Sequence, residues 1–188
     1  MTASKFLHLI HLMQRRFFNT FALLFALATS SLFAQESAVI DAGGLKFKYS
    51  TPWMLSDTPG MMRVATLLAK AEGSEKPLEA AFYVFPGGGG GVEANVNRWL
   101  GQFAAKPESK TEEIPVGGQK ITLVTATGTF NDGPPMGAKT PKENYTLLGA
   151  IVPTPDGNNV FIKLTGPKDA ILKLAESFRI MVASPFAK

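Results

Sequence analysis

Apolar and polar residues alternate along much of the chain, and this alternation predicts β-strands separated by turns. The clearest short example is Leu45–Tyr49, in which every second residue is apolar or aromatic. Residues 120–130 are rich in β-branched side chains, which is typical of a long strand. The other predicted strands are residues 63–68, 79–85, 145–152 and 160–165.

Apolar residues return at helical spacing in residues 92–103. They form one stripe that consists of Val92, Val96, Trp99, Leu100 and Phe103. A second amphipathic helix is predicted after Pro167, because proline is favoured in a first helical turn. Its buried stripe consists of Ile171, Leu174, Ala175 and Phe178.

The predicted order is therefore β-β-β-α-β-β-β-α in one domain. Hairpin-type connections dominate, which favours a mainly antiparallel sheet flanked by the two helices, a fold of the α+β class. Residues 35–44 are expected to be a loose lead-in and residues 106–113 an exposed polar segment. Ile114–Val116 is expected to pair with its neighbour across a hairpin-type turn at Gly117 and Gly118. Residues 131–144 contain several glycines and prolines and are expected to be an irregular loop, either functional or simply mobile.

The first 34 residues have the pattern of a secretory signal peptide. Lys5, Arg15 and Arg16 precede an apolar run at residues 17–28, and small residues lead to an expected cleavage after Ala34. The alternative is an uncleaved membrane anchor, but the run is short for a span, which needs ~20 residues. The expectation is a mature domain of residues 35–188, periplasmic or secreted, with no membrane span after cleavage.

Composition excludes several kinds of chemistry once this leader is set aside. The whole chain has a net charge of +4, and removing the three basic residues of the leader leaves +1. Both histidines, His8 and His11, lie in the leader, and the chain has no cysteine. We therefore expect no thiolate or histidine catalysis, no transition-metal site, no cofactor and no nucleic-acid partner.

Some residues resemble known families. Tyr49 followed by Pro52 and Trp53, and a late hairpin followed by a helix with Glu176-Ser177-Phe178, resemble the opening and the end of PsbP-like domains. Residues 85–103 resemble uncharacterised secreted bacterial proteins with a glycine run before an Asn-Val-Asn-Arg-Trp-Leu-Gly-Gln-Phe helix. The first resemblance implies an α/β/α sandwich that serves binding or assembly rather than catalysis.

The glycine run and the helix after it supply the candidate contacts with a ligand or partner. They are Gly89, Gly90, Gly91, Ala94, Asn95, Arg98, Gly101 and Gln102. Free glycine N–H groups at a helix N-terminus can hold a small anion, although Glu93 already occupies the positive end of the dipole. The plain alternative is a flexible connection. The small residues on the outer face of the helix favour docking of a protein partner or a second copy.

Three functions remain open at this point. The first is an exported, non-catalytic domain that binds a partner or ligand or takes part in assembly. The second is a hydrolase-type enzyme that uses carboxylates, for which a pocket lined by Glu79, Glu93 and Tyr83 would speak. The third is a structural component of the cell envelope.

Overall fold

The computed structural model describes residues 37–58, 60, 62–134 and 136–188. The predicted leader and its cleavage site lie outside these residues. The strands and helices are β1 (Ala38–Ala42), β2 (Leu45–Tyr49), β3 (Trp53–Leu55), β4 (Ala65–Ala69), β5 (Leu78–Val84), α1 (Val92–Leu100), β6 (Glu108–Val116), β7 (Gln119–Asp132), β8 (Thr140–Pro153), β9 (Asn159–Pro167) and α2 (Lys168–Ala183).

Seven strands form one antiparallel sheet in the order β3-β4-β5-β9-β8-β7-β6, and β1 and β2 form a separate hairpin. The mainly antiparallel sheet with two helices confirms the α+β class. Within the described ranges, no helix is both long and apolar enough to span a membrane.

The two helices cover opposite faces of the sheet, as β9 shows. Ile162 and Leu164 pack in a core that includes α2 and the β1–β2 hairpin, whereas Phe161 packs with Trp99 of α1. Successive residues of a strand point to opposite faces, so these two cores lie on either side of the sheet. In the α2 core, Phe47 of the hairpin meets Phe82 edge to face at 5.3 Å between ring centroids.

The second core is smaller and depends on a close approach between α1 and the sheet. Trp99 is 4% exposed and lies over Gly149 of β8. A Cβ atom built on Gly149 would come within 3.0 Å of the indole ring at three ring atoms, so only glycine accommodates this contact without movement. Around it are residues of β7, β8 and β9, namely Val124, Ala126, Leu147, Ile151 and Phe161.

The predicted order contains too few strands, because three strands within the described residues were not expected. β1 falls in the predicted lead-in, β3 has only three residues, and β6 begins in the predicted polar segment. The last residues of β6, Ile114–Val116, pair with β7 across Gly117 and Gly118, which confirms that predicted hairpin. β6 is an edge strand whose charged residues face solvent while its backbone pairs with β7, so most of its sequence lacks the alternation of a half-buried strand. The predicted loop 131–144 is also too long, since β7 runs to Asp132 and β8 begins at Thr140.

The first helix is shorter than predicted, and its apolar stripe is confirmed at Val96, Trp99, Leu100 and Phe103 but not at Val92. It ends at Leu100, and Val92 is 40% exposed, whereas Asn95 is 1% exposed. An α-helix about 10 Å wide covers only two to three strands that lie ~4.8 Å apart. Its core contacts are with β7, β8 and β9, which leaves the same face of β4 and β5 open to other groups.

Candidate functional site

A pocket of ≈ 700 Å³ occupies the part of the sheet beside α1. Strands β4, β5 and β9 form its floor, α1 one wall, and the β3–β4 and β7–β8 connections its rim. The residues that line it are Ser56, Thr58, Gly60, Met62, Arg63, Thr66, Glu79, Tyr83, Phe85, Arg98, Trp99, Gln102, Pro134, Phe161 and Lys163.

The floor of the pocket follows from strand register. Ala81 on β5 pairs with Thr66 on β4 and with Lys163 on β9, so these three side chains form one row across the sheet. Tyr83 pairs with Phe161 in the next row on the same face. Because Ala81 has a small side chain between two longer ones, it leaves space above the middle of the floor.

Aromatic rings make the apolar part of the pocket. Tyr83 and Phe85 are stacked with centroids 6.0 Å apart, and Phe85 meets Phe161 at 5.6 Å. Trp99 completes the series edge to face against Phe161 at 6.5 Å. Flat rings in these arrangements support one another and offer a surface for a flat apolar group.

Three cationic side chains line the pocket with one carboxylate. Arg63 forms an ion pair with Glu79 at 2.5 Å between Nη1 and Oε2. The guanidinium of Arg98 lies over the Phe85 ring, 5.9 Å from its centroid. Within the described residues, Lys163 forms no ion pair within 4.0 Å, and its Nζ donates to Gln102 Oε1 at 2.6 Å. The pocket therefore has an excess of positive charge beside an aromatic wall.

The environment of Lys163 disfavours its charged form. Burial lowers the pKa of Lys163 from 10.5 to about 8. The negative charge of Asp132 opposes this shift, whereas the nearby positive charges of Arg63, Lys139 and Arg98 add to it. Nζ also lies over the Phe130 ring, 5.2 Å from the centroid. The amine is thus accessible from the pocket and exchanges its proton at moderately alkaline pH.

The lowered pKa of Lys163 gives a prediction on stability. Between pH 8 and 10.5 the unfolded chain holds the proton and the native chain does not, so the free energy of unfolding rises with pH in this window. Denaturant titrations at several pH values should show this rise in the wild type. In Lys163→Met this rise in the free energy of unfolding should be missing. If the free energy of unfolding depends on pH in the same way in both proteins, the prediction is wrong.

The glycine run forms a turn that the Asn95 side chain contacts through hydrogen bonds. Residues Gly87 to Gly90 all have positive φ, which favours glycine over other residues. The Asn95 side-chain amide donates to the carbonyl oxygens of Gly89, Gly90 and Gly91 at 3.0, 3.3 and 3.0 Å. Its Oδ1 accepts a hydrogen bond from Arg98 Nη2. One buried side chain thus links the turn to a cation of the pocket.

Replacing Asn95 with alanine should therefore destabilise the protein by ~1–3 kcal/mol, because buried polar groups lose their partner. Asn97→Ala is the matched control, since Asn97 is exposed on the same helix. Urea denaturation of both variants tests this prediction. Equal stability of the two variants would mean that the hydrogen bonds of Asn95 do not hold the turn.

The structure divides the eight candidate residues into three groups. Arg98 and Gln102 line the pocket. Gly89, Gly90, Gly91 and Asn95 lie behind it and position Arg98, and Gly89 packs tightly against Phe85 and Phe161. Ala94 and Gly101 are exposed and do not line the pocket. Docking of a partner on that outer face of α1 stays a prediction.

Sequence reasoning missed the residues of the sheet that contribute most to the site. Arg63 and Lys163 were assigned to strands without a role, and Glu93 does not line the pocket, whereas Glu79 and Tyr83 do. A signal for Lys163 was present: it is the single charged residue in the otherwise apolar run of residues 160–164. An unpaired lysine on the buried face of a central strand is unusual, because burying a charge is costly.

Comparisons with known proteins found one similar solved structure to report. No protein-family model and no curated protein matches this sequence. Among solved structures, the solution structure of cyanobacterial PsbP (CyanoP) from Synechocystis sp. PCC 6803 is similar, with a TM-score of 0.48 and 12% sequence identity. The similarity covers 84% of this chain and 95% of that chain. At this level the similarity carries no argument about function.

Proposed function

We propose that this chain is a non-catalytic binding domain whose pocket holds a small organic anion with a flat apolar part. The observation that carries the proposal is the position of Arg63, Arg98 and Lys163 around an aromatic pocket of ≈ 700 Å³. This volume lies within the range of ~300–1,000 Å³ that is usual for small-molecule sites.

The charges of the pocket support an anion over a cation or a neutral molecule. Among the described residues that line the pocket, Glu79 is the one acidic residue, and Arg63 already neutralises that carboxylate. An anionic group of the ligand would supply the partner that Lys163 lacks, and hydrogen bonds between charged groups are about twice as strong as neutral ones. Arg98 adds a planar guanidinium that can bind a carboxylate or phosphate through two nitrogens.

The rings support a flat apolar part in the same ligand. Tyr83, Phe85, Trp99 and Phe161 form a continuous wall beside the cations. Trp99 and Phe161 are 4% and 1% exposed, whereas Tyr83 and Phe85 are partly exposed, so an aromatic or similarly flat acid would cover mainly Tyr83 and Phe85. Burial of apolar surface contributes roughly 25 cal/mol per Å².

The same residues favour binding over carboxylate-dependent hydrolysis. General acid–base catalysis by carboxylates needs two such groups, or one whose proton is free to move. Glu79 is held by Arg63, and Glu93 lies away from the residues that line the pocket. The secretory pattern of the first 34 residues supports a place outside the cytoplasm for this binding function.

Isothermal titration calorimetry with matched probes tests the proposal. Benzoate, phenylacetate and phenyl phosphate would be compared with benzyl alcohol and phenylethanol, which have similar rings and no charge. At least one anion is expected to bind at least ~10-fold more tightly than its neutral counterpart, which corresponds to about 1.4 kcal/mol. Absence of binding by every anion, or equal binding of anions and alcohols, would overturn the proposal.

Two variants locate the binding site in the same experiment. Arg98→Met keeps the length of the side chain and removes the charge from the pocket, so it should weaken the binding of the anion. Lys173→Met removes a cation that pairs with Glu72 at 2.7 Å and does not line the pocket, so affinity should not change. Equal losses in the two variants would mean that binding follows net charge rather than this pocket.

A further inference from the structure

Lys163 differs from an ordinary anion-binding lysine in its position. It lies on the central strand β9, with its amine directed into the pocket by the register with Ala81. Its Nζ donates a hydrogen bond to Oε1 of the neutral Gln102 side chain at 2.6 Å. A lysine that serves only as a structural cation is normally paired with a carboxylate when it is buried.

The surroundings of the amine favour nucleophilic chemistry. Four charged groups act on the charge of the amine: Arg98 on α1, Arg63 just before β4, Lys139 in the β7–β8 connection and Asp132 at the end of β7. Glu79 on β5 lines the same pocket. The cations outnumber the acids, and Glu79 is already paired with Arg63. Desolvation and neighbouring cations are the two conditions that activate a lysine amine toward carbonyl compounds.

We propose that the Lys163 amine forms a reversible imine with aldehydes or ketones that carry an anionic group, a ligand class that fits the cations and rings of this pocket. This inference rests on the proposed function for the anionic part of the ligand. Arg98 would hold the carboxylate or phosphate, because Arg63 is already paired with Glu79, and the aromatic wall would hold the flat part with its carbonyl carbon at Nζ.

The chemistry balances without an oxidant or a metal. The neutral amine adds its lone pair to the carbonyl carbon, and the carbonyl oxygen gains a proton to give a carbinolamine. Loss of one water molecule then forms the C=N bond, so the two amine hydrogens and the carbonyl oxygen leave together as water. The reaction needs the uncharged amine, and with a pKa of about 8 roughly a tenth of Lys163 is uncharged at neutral pH.

Reductive trapping of the imine tests this inference on the wild-type protein. The probe is para-carboxybenzaldehyde, an aromatic aldehyde with a carboxylate, and sodium cyanoborohydride reduces any imine to a stable secondary amine. The adduct adds the mass of the probe less one oxygen atom. Peptide mapping by mass spectrometry should find it on Lys163 at least ~10-fold more often than on Lys173, because free amine is scarcer at an ordinary lysine.

A non-reactive probe separates this inference from the proposed function. para-(Hydroxymethyl)benzoate has the same ring and carboxylate and no carbonyl group. If it binds by calorimetry while Lys163 gains no more label than Lys173, imine formation is wrong and anion binding stands. If para-(hydroxymethyl)benzoate neither binds nor reduces the labelling of Lys163, and all lysines are labelled equally, both proposals fail. Selective labelling of Lys163 that excess para-(hydroxymethyl)benzoate suppresses would support both.

A conservative variant adds a second readout. Lys163→Arg keeps the positive charge and cannot form an imine under these conditions, because the guanidinium stays protonated. It should lose the selective label. If this variant carries an equally strong label at another position in the peptides that line the pocket, the assignment to Lys163 is wrong.

Discussion

Replacing Trp99 with alanine is expected to lower the free energy of unfolding by ~3–5 kcal/mol, as measured by urea denaturation. The indole is 4% exposed and joins α1 to the sheet through Phe161 and through contact with Gly149. Alanine would leave a cavity between the helix and β8 that the short helix cannot close without moving. The pocket would lose one wall at the same time, so anion binding should weaken as well.

A double-mutant cycle with Gly149 isolates the contact between helix and strand. Gly149→Ala should destabilise the wild type, because the added Cβ would lie within 3.0 Å of the indole ring. In the Trp99→Ala background the same change should be neutral or stabilising, since the ring is absent and alanine is preferred to glycine within a strand. Additive effects of the two substitutions would show that the close contact does not carry this stability.

The affinity of the pocket for an aromatic carboxylate is expected to fall as the pH rises above about 8. Lys163 is protonated below this value and binds the anion as a cation, and it loses that charge as the pH passes its pKa. Where binding requires the proton, affinity falls by up to roughly tenfold per pH unit. Calorimetry with benzoate between pH 6 and 10, a range chosen to bracket the pKa of about 8, measures the effect.

Two substitutions test whether Lys163 causes this pH dependence of the affinity. Lys163→Arg stays charged throughout the range, so its affinity should be nearly independent of pH. Lys163→Met should bind weakly at every pH, because the charge is missing and a similar length of apolar chain remains. A wild-type profile that parallels that of Lys163→Arg would mean that another group controls the affinity.

Strands and helices were predictable from the sequence where their residues show a local pattern of apolar and polar positions. The alternation in Leu45–Tyr49 and the helical stripe around Trp99 are direct consequences of having one buried face, and both are present. Most of β6 was not predictable, because an edge strand is determined by its partner. Its backbone pairs with β7 from Glu108 to Val116, and only its last residues, which include the buried Ile114, show the alternation of a half-buried strand.

The residues of the candidate site were likewise only partly predictable from the sequence. Arg98 and Gln102 were named from helix spacing as part of an outward docking face and its edge, and their position beside a pocket was not predicted. Asn95 was also named, but its role was not foreseen, since it depends on three carbonyl groups that a glycine turn brings to it. Arg63 and Lys163 lie far apart in the chain and meet only through strands β4, β5 and β9.

The sequence by itself determined the class of the fold, the two amphipathic helices, the secretory pattern of its first residues and the absence of histidine and cysteine chemistry beyond them. These properties depend on composition and on periods of two or 3.6 residues, which a single chain displays locally. Tertiary structure alone decided that a cationic aromatic pocket exists. The pocket exists because α1 is too narrow to cover the whole sheet face, and because strand register places Lys163 beside Ala81. Both causes are relations between distant segments, which local sequence does not encode.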